Sequence, residues 1–243
     1  MDIAWIGHAA FRLRGHDAAV VVDPCPASTG FRLGRPQAEI VTVSNASPEH
    51  SWFAGVGGDP VCLDAPGEYE IRNVLITGVD TAPASARLTG TAPERAIGTP
   101  PADATGTAPP GETERAADNP PRNVAFVVTI DEVIIAHLGD IGAEPGAAAL
   151  EELSRADILL LPVGGHGHLD AKTAVAIVGL IDPKLVVPML YKVGSEAADL
   201  DAVDAFLSAM GGVVPTELDN HINITRAQLG EHTVVQVLAP RGD

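Results

Sequence analysis

Between Thr81 and Arg122 the chain has almost nothing from which to build a core. This stretch holds eight of the twenty prolines, no aromatic residue, and only Leu88 and Ile97 as large aliphatics. Such a composition buries too little apolar surface to offset the cost of ordering the backbone. Residues 81–122 therefore read as a disordered Pro/Ala/Thr-rich surface insertion. Loops of this length are otherwise functional lids, but nothing here could pack as one. The fold must be assembled from the two flanks. Neither looks self-sufficient, so one domain over 1–243, interrupted by the insertion, is expected.

The two flanks differ in rhythm. Before the insertion come short β-type runs at 3–6, 10–14, 18–22, 39–43, 61–63, 68–71 and 74–78, separated by Gly7, Gly15, the Asp23-Pro24 pair and polar loops. Residues 51–54 suggest a short helical turn. After it come strands at 124–130 and 133–137 around the turn Asp131-Glu132, then strand–helix alternation. Helices are expected over 144–155, with Pro145 in the first turn, over 169 or 170 to 181, and over 199–210, ended by Gly211-Gly212. Strands are expected at 157–161, 185–187, 222–225 and 233–238. Strands first and alternation later suit a layered α/β sandwich better than a uniform doubly wound sheet.

Composition narrows the partners. A formal charge of −17 repels phosphate-rich polymers, so no nucleic acid is expected. No run approaches the roughly 20 apolar residues of a bilayer span, and the N-terminus lacks a basic, apolar leader, so no membrane association is expected either. Cys25 and Cys62 lack CxxC spacing. Two free thiols in a reduced cytoplasmic protein are the simpler reading, with a bridge between them left open.

The motifs come in a specific order: Trp5-Ile-Gly-His-Ala-Ala-Phe11, Val22-Asp-Pro24, Val41-Thr-Val-Ser-Asn-Ala-Ser-Pro-Glu-His-Ser51, Gly67-Glu-Tyr-Glu-Ile71, His137-Leu-Gly-Asp140, Leu161-Pro-Val-Gly-Gly165, Leu169-Asp-Ala171 and Val187-Pro-Met-Leu-Tyr191. Each alone is weak, but as an ordered set they resemble the metallo-β-lactamase fold superfamily. The nearest branch is the small Zn-dependent hydrolases akin to ascorbate-6-phosphate lactonase. The resemblance implies an αββα sandwich with a metal site on loops at one edge. It also implies a two-metal hydrolase acting on a lactone, ester or phosphodiester, in which paired cations activate a bridging water.

The departures from that pattern fall on the ligands. The family's His-x-His-x-Asp-His motif, aligned on His50, reads Asn45, Ser47 and Glu49 at its other ligand positions. Asn and Ser are poor substitutes for imidazole on zinc. A histidine expected near Thr81-Ala82-Pro83 is absent, and no histidine lies between His50 and His137. Asp140 matches the bridging aspartate, whereas Leu190 stands where the last histidine belongs. The residual metal-site positions are thus His50, Asp140 and Glu49, and the replaced ones Asn45, Ser47 and Leu190.

His8, His137, His166 and His168 are the further pocket candidates. His166 and His168 form the one His-x-His pair, which could chelate a metal, form a polar turn or cap the following helix. His8 and His137 read as hydrogen-bonded structural histidines, and His16, His221 and His232 as surface residues. No catalytic residue is assigned. A protein with most ligands lost is expected to be non-catalytic, with no cofactor, and to bind or assemble as a homo-oligomer or with a related protein. The alternative is a hydrolase with a rebuilt mononuclear site, holding a single weakly bound Zn or Mn on His50, Asp140 and His166 or His168.

Overall fold

The computed structural model describes residues 1–84, 122–194, 198–212 and 218–241. Among these residues thirteen strands form two sheets. The first sheet takes β1 (Asp2–Gly7), β2 (Ala10–Arg14), β3 (Ala19–Val22), β4 (Ile40–Thr42), β5 (Val61–Leu63) and β12 (His221–Asn223), in the order β12-β1-β2-β3-β4-β5. The second takes β6 (Gly67–Ile71), β7 (Val74–Thr81), β8 (Asn123–Ile130), β9 (Val133–His137), β10 (Ile158–Pro162), β11 (Leu185–Met189) and β13 (Val234–Val235), in the order β13-β11-β10-β9-β8-β7-β6.

Side chains alternate across a strand with period two, and the first sheet obeys this throughout. Ile3, Trp5, Phe11, Leu13, Val20 and Val22 point into the core between the sheets. Ile6, Ala10, Ala19 and Val21 point the other way, into a second cluster closed by Cys25, Phe31 and Leu33. Over β1, β3 and β4 both faces are therefore covered, which is why these strands read as near-continuous apolar runs, whereas β2 turns Arg12 and Arg14 outward. The outer cover of the first sheet is largely the segment around 25–38, with one 3₁₀ turn at Ala27–Thr29. The second sheet carries α1 (Ala147–Leu153) and α2 (Ala171–Ile181), with α3 (Asp204–Ala209) packed on α2.

Several expected boundaries shift, each for a local reason. The helix expected over 144–155 starts only at Ala147, because Gly146 is extended and Pro145 precedes the helix instead of opening it. The one expected over 199–210 shrinks to α3, since Asp199 and Asp201 turn to face His166. Gly211, at φ +76°, ends it as expected. Neither histidine of the His-x-His pair caps α2. Asp170 does, accepting from the Thr173 N–H at 2.7 Å.

Residues 81–84, expected inside the insertion, belong to the fold. Thr81 pairs with Asn123 in the β7–β8 ladder, and the buried Ala84 donates its N–H to Asp140 O at 2.9 Å. The rest of the insertion, 85–121, lies outside the described residues. Cys25 is buried and Cys62 exposed, both as free thiols, so the bridge left open by the sequence is not formed. Among the described residues no helix is long and apolar enough to cross a membrane.

Candidate functional site

Strands β3 and β4 run parallel, as do β9, β10 and β11. Parallel strands deliver their C-terminal ends to one edge of a sheet, and binding groups gather on the loops there. Direct contacts bring these two edges together. Val124 N–H donates to Ser44 O at 2.8 Å, and His137 Nε2 donates to Ala9 O at 2.9 Å. Gly139, at φ +60°, makes the approach feasible: a Cβ there would lie 2.4 Å from the Ser44 Cβ.

On the first-sheet side, Asp23 follows β3 and is wholly buried. Its carboxylate accepts from Ser44 N at 2.7 Å, Ser44 Oγ at 2.5 Å and His50 Nδ1 at 2.7 Å. Burial alone pushes this carboxyl up. The neighbouring rings of His50 and His137 and the hydrogen bonds from His50 and Ser44 outweigh it, holding the group below its ordinary value. Because the carboxylate only accepts, His50 is fixed with its proton on Nδ1. Its Nε2 is buried and has no hydrogen-bond partner among the described residues. The His8 ring meets that of His50 edge-on, centroids 4.9 Å apart.

Asn45 is buried, accepting from Ser47 N at 3.1 Å and donating to Ser44 Oγ at 3.2 Å. It braces its own loop. Ser47 is buried beside it, and Glu49 lies on the same loop with intermediate exposure.

On the second-sheet side, Asn123 organises the loop after β9. It donates to Thr81 Oγ1 at 2.7 Å and to Leu138 O at 2.8 Å, and accepts from Asp140 N at 2.9 Å. Asp140 is fully buried, and its Oδ1 is paired with His168 Nδ1. His168 reaches it because the 164–168 turn folds back, with His168 N donating to Gly165 O at 2.9 Å. Gly164 lets this turn lie against the Leu190 carbonyl, 1.9 Å from where a Cβ would be.

His166 leaves the cluster. Its side chain is 46% exposed and faces Asp201 at 3.1 Å and Asp199 at 3.4 Å. His137 is buried, and burial pulls its pKa down against the opposing pull of Asp23. Its Nε2–H donates to Ala9 O while Nδ1 accepts from Gly139 N. Both ring nitrogens thus serve the fold. Leu190 is buried with a left-handed φ of +51°, and its N–H donates to His8 O at 3.3 Å. His8 and Asp23 share that left-handed backbone, at φ +53° and +43°. Such strain costs on the order of 1–2 kcal/mol per residue, and here it gathers around one cluster.

The structure thus brings His8, Asn45, His50, His137, Asp140, His168 and Leu190 to one edge and turns His166 away. Of its two best-connected polar residues, Asp23 stood in the Val22-Asp-Pro24 motif without a role in the site, and Asn123 was not singled out from the sequence. The signal for Asp23 was a carboxylate at the end of the apolar strand Ala19–Val22, which reads equally well as a turn. Asn123 carried no local signal. Among the described residues, no group of three or more His, Cys, Asp or Glu side chains is placed to hold a metal ion together.

The comparisons with known proteins agree with this architecture. Residues 2–190 match the β-lactamase superfamily domain. A UPF0173 metal-dependent hydrolase of Methylobacterium nodulans is 30% identical over 229 residues, covering 87% of this chain and 93% of the relative. One from Archaeoglobus fulgidus is 26% identical, covering 79% and 83%. A crystal structure from Thermotoga maritima, described as a Zn-dependent hydrolase of the metallo-β-lactamase superfamily, superposes with TM-score 0.68 at 25% identity, covering 98% of this chain and 99% of that one. The chain therefore belongs to the metallo-β-lactamase superfamily, among relatives named UPF0173 metal-dependent hydrolases.

Proposed function

We propose that this chain is a non-catalytic member of its family, which keeps the fold for binding or assembly with itself or with an active relative. The observation that carries the reading is that the groups at the ligand positions serve one another. Asp140 is paired with His168, Asn45 braces Ser44 and Ser47, and Leu190 offers only an isobutyl group. Each zinc of a dinuclear centre needs about three protein ligands of the imidazole, thiolate or carboxylate type. The donors present do not fit two such ions, so no hydrolytic step is derived through them. Two free thiols are compatible with a reducing cytoplasm.

A second reading has its own support. A metal-binding histidine usually donates its other ring N–H to a carboxylate, and His50 does so to Asp23 while its buried Nε2 lacks a partner. That reading needs His50, Asp140 and His168 to draw closer than they stand, since no three such groups are gathered among the described residues, and the set would then hold a single weakly bound Zn or Mn. The metal would supply a polarising charge for a lactone, ester or phosphodiester. His166 faces away from these groups.

Thermal melts with Zn²⁺ and Mn²⁺, paired with lactonase and phosphodiesterase assays, separate the two readings. The non-catalytic reading predicts no metal-dependent rise in melting temperature and no turnover. Turnover that disappears in Asp140→Ala would refute it. Light scattering on the same samples tests assembly, with an oligomer or a hetero-complex expected and a persistent monomer counting against it.

A further inference from the structure

Away from the strand-end cluster, arginines gather on the outer face of the first sheet. The whole sequence has only 15 Lys and Arg against 32 Asp and Glu. Four of those arginines, Arg12, Arg14, Arg32 and Arg241, nevertheless line one cavity of about 430 Å³ and the shallower groove continuous with it. Arg12 and Arg14 lie on the outward face of β2, because Phe11 and Leu13 take the core side. Arg241 is held beside them by its N–H, which donates to Trp5 O at 2.7 Å. Ile6, Leu33 and Pro36 supply an apolar wall, and Gln37 an amide.

Like charges brought together cost stability, and the acidic side chains Asp2 and Asp131 line the groove, not the cavity. Asp2 and Glu39 are near enough to temper Arg12. Glu39 is also engaged elsewhere, accepting from Ala19 N at 2.8 Å. The Arg12 Nε is buried and has no hydrogen-bond partner among the described residues. Burial first, then the charges of Arg14 and Arg241, pull its pKa down, so the guanidinium sits in an environment that disfavours its charge. A buried, unpaired donor beside like charges is costly to leave unmet.

We infer that this cavity is a binding site for a small organic polyanion, bearing phosphate or closely spaced carboxylate groups, that the arginines grip while its apolar part rests on Ile6, Leu33 and Pro36. Guanidinium forks match both anion types bidentately, and the volume falls within the usual range for small-molecule sites. A long polyanion is disfavoured by the overall charge of −17. The inference is independent of whether the strand-end cluster holds a metal.

Titration calorimetry with sodium pyrophosphate and, separately, with citrate tests it on the whole chain. Saturable binding of at least one is expected, weakening with added salt, and the tighter anion identifies the group recognised. Arg12→Gln and Arg241→Gln should each weaken it about tenfold or more, whereas the paired surface variant Arg155→Gln should not. Arg12→Gln should also melt at the same or a higher temperature without ligand, since it sheds a repelled charge. Arg241→Gln lies in an exposed segment and covers the case in which the first variant misfolds. No saturable binding of either anion, binding indifferent to both arginine variants, or preference for a short oligonucleotide would overturn the inference.

Discussion

The two halves of the strand-end site are built alike and finished differently. In the first-sheet half, Asp23 gathers Ser44 and His50 into a closed, fully buried network in which all three hydrogen bonds to the carboxylate are short. In the second-sheet half, the equally buried Asp140 pairs with His168, which comes from a glycine-rich turn that also throws His166 into solvent. Leu190 fills the remaining corner with hydrocarbon on a left-handed backbone. The first half leaves His50 Nε2 buried with no hydrogen-bond partner among the described residues. The second half has turned its carboxylate toward a side chain of the same protein.

The sharpest way to break this comparison is to remove the first half's anchor. Asp23→Ala should cost about 3–5 kcal/mol in denaturant unfolding, as expected when one partner of a buried charged network is lost. A loss of under about 1 kcal/mol would mean the network is ornamental. Next, a double-mutant cycle on Asp140→Ala and His168→Ala should return a coupling of about 1–3 kcal/mol. Additive effects would show that the second half is not paired in solution.

The two halves also share a pH dependence with a definite sign. His137 has a lowered folded pKa, so its contribution is complete above its unfolded value of about 6.5 and fades as pH falls through the folded value. Asp23, also lowered, adds a further loss below about pH 4. Stability should therefore decline from about pH 6.5 downward. The loss is about 1.4 kcal/mol for each tenfold difference in proton affinity between the folded and unfolded chain. His137→Gln should flatten the upper part of that decline in denaturant titrations run across the same pH range. The smallest effect concerns Leu190. Leu190→Gly should be less destabilising than Leu190→Ala by about 1 kcal/mol, because only glycine relieves the left-handed strain.

Much of the fold was legible because its strands alternate cleanly between two buried faces, as Phe11 and Leu13 against Ala10 show. Helix ends were less so. Asp199 and Asp201 look like the start of an amphipathic helix, but their pairing with His166 holds them outside it. The site was legible only as positions. Sequence spacing could set Asn45, His50, Asp140 and Leu190 in family register, but it could not say that His168 would turn inward and His166 outward. A turn closed by Gly165 and packed on Leu190 decides that. Asp23 was legible as part of Val22-Asp-Pro24 but not as the site's anchor, because an Asp-Pro pair after a strand is also what a plain turn looks like.

The central claim is that the residues at the ligand positions are partners of one another and not a dinuclear centre. The most direct measurement is the transition-metal content of protein purified without chelators, by elemental mass spectrometry on a known protein concentration. The account predicts well under about one equivalent of zinc, manganese or iron per chain. About two equivalents, lost in Asp140→Ala, would contradict it.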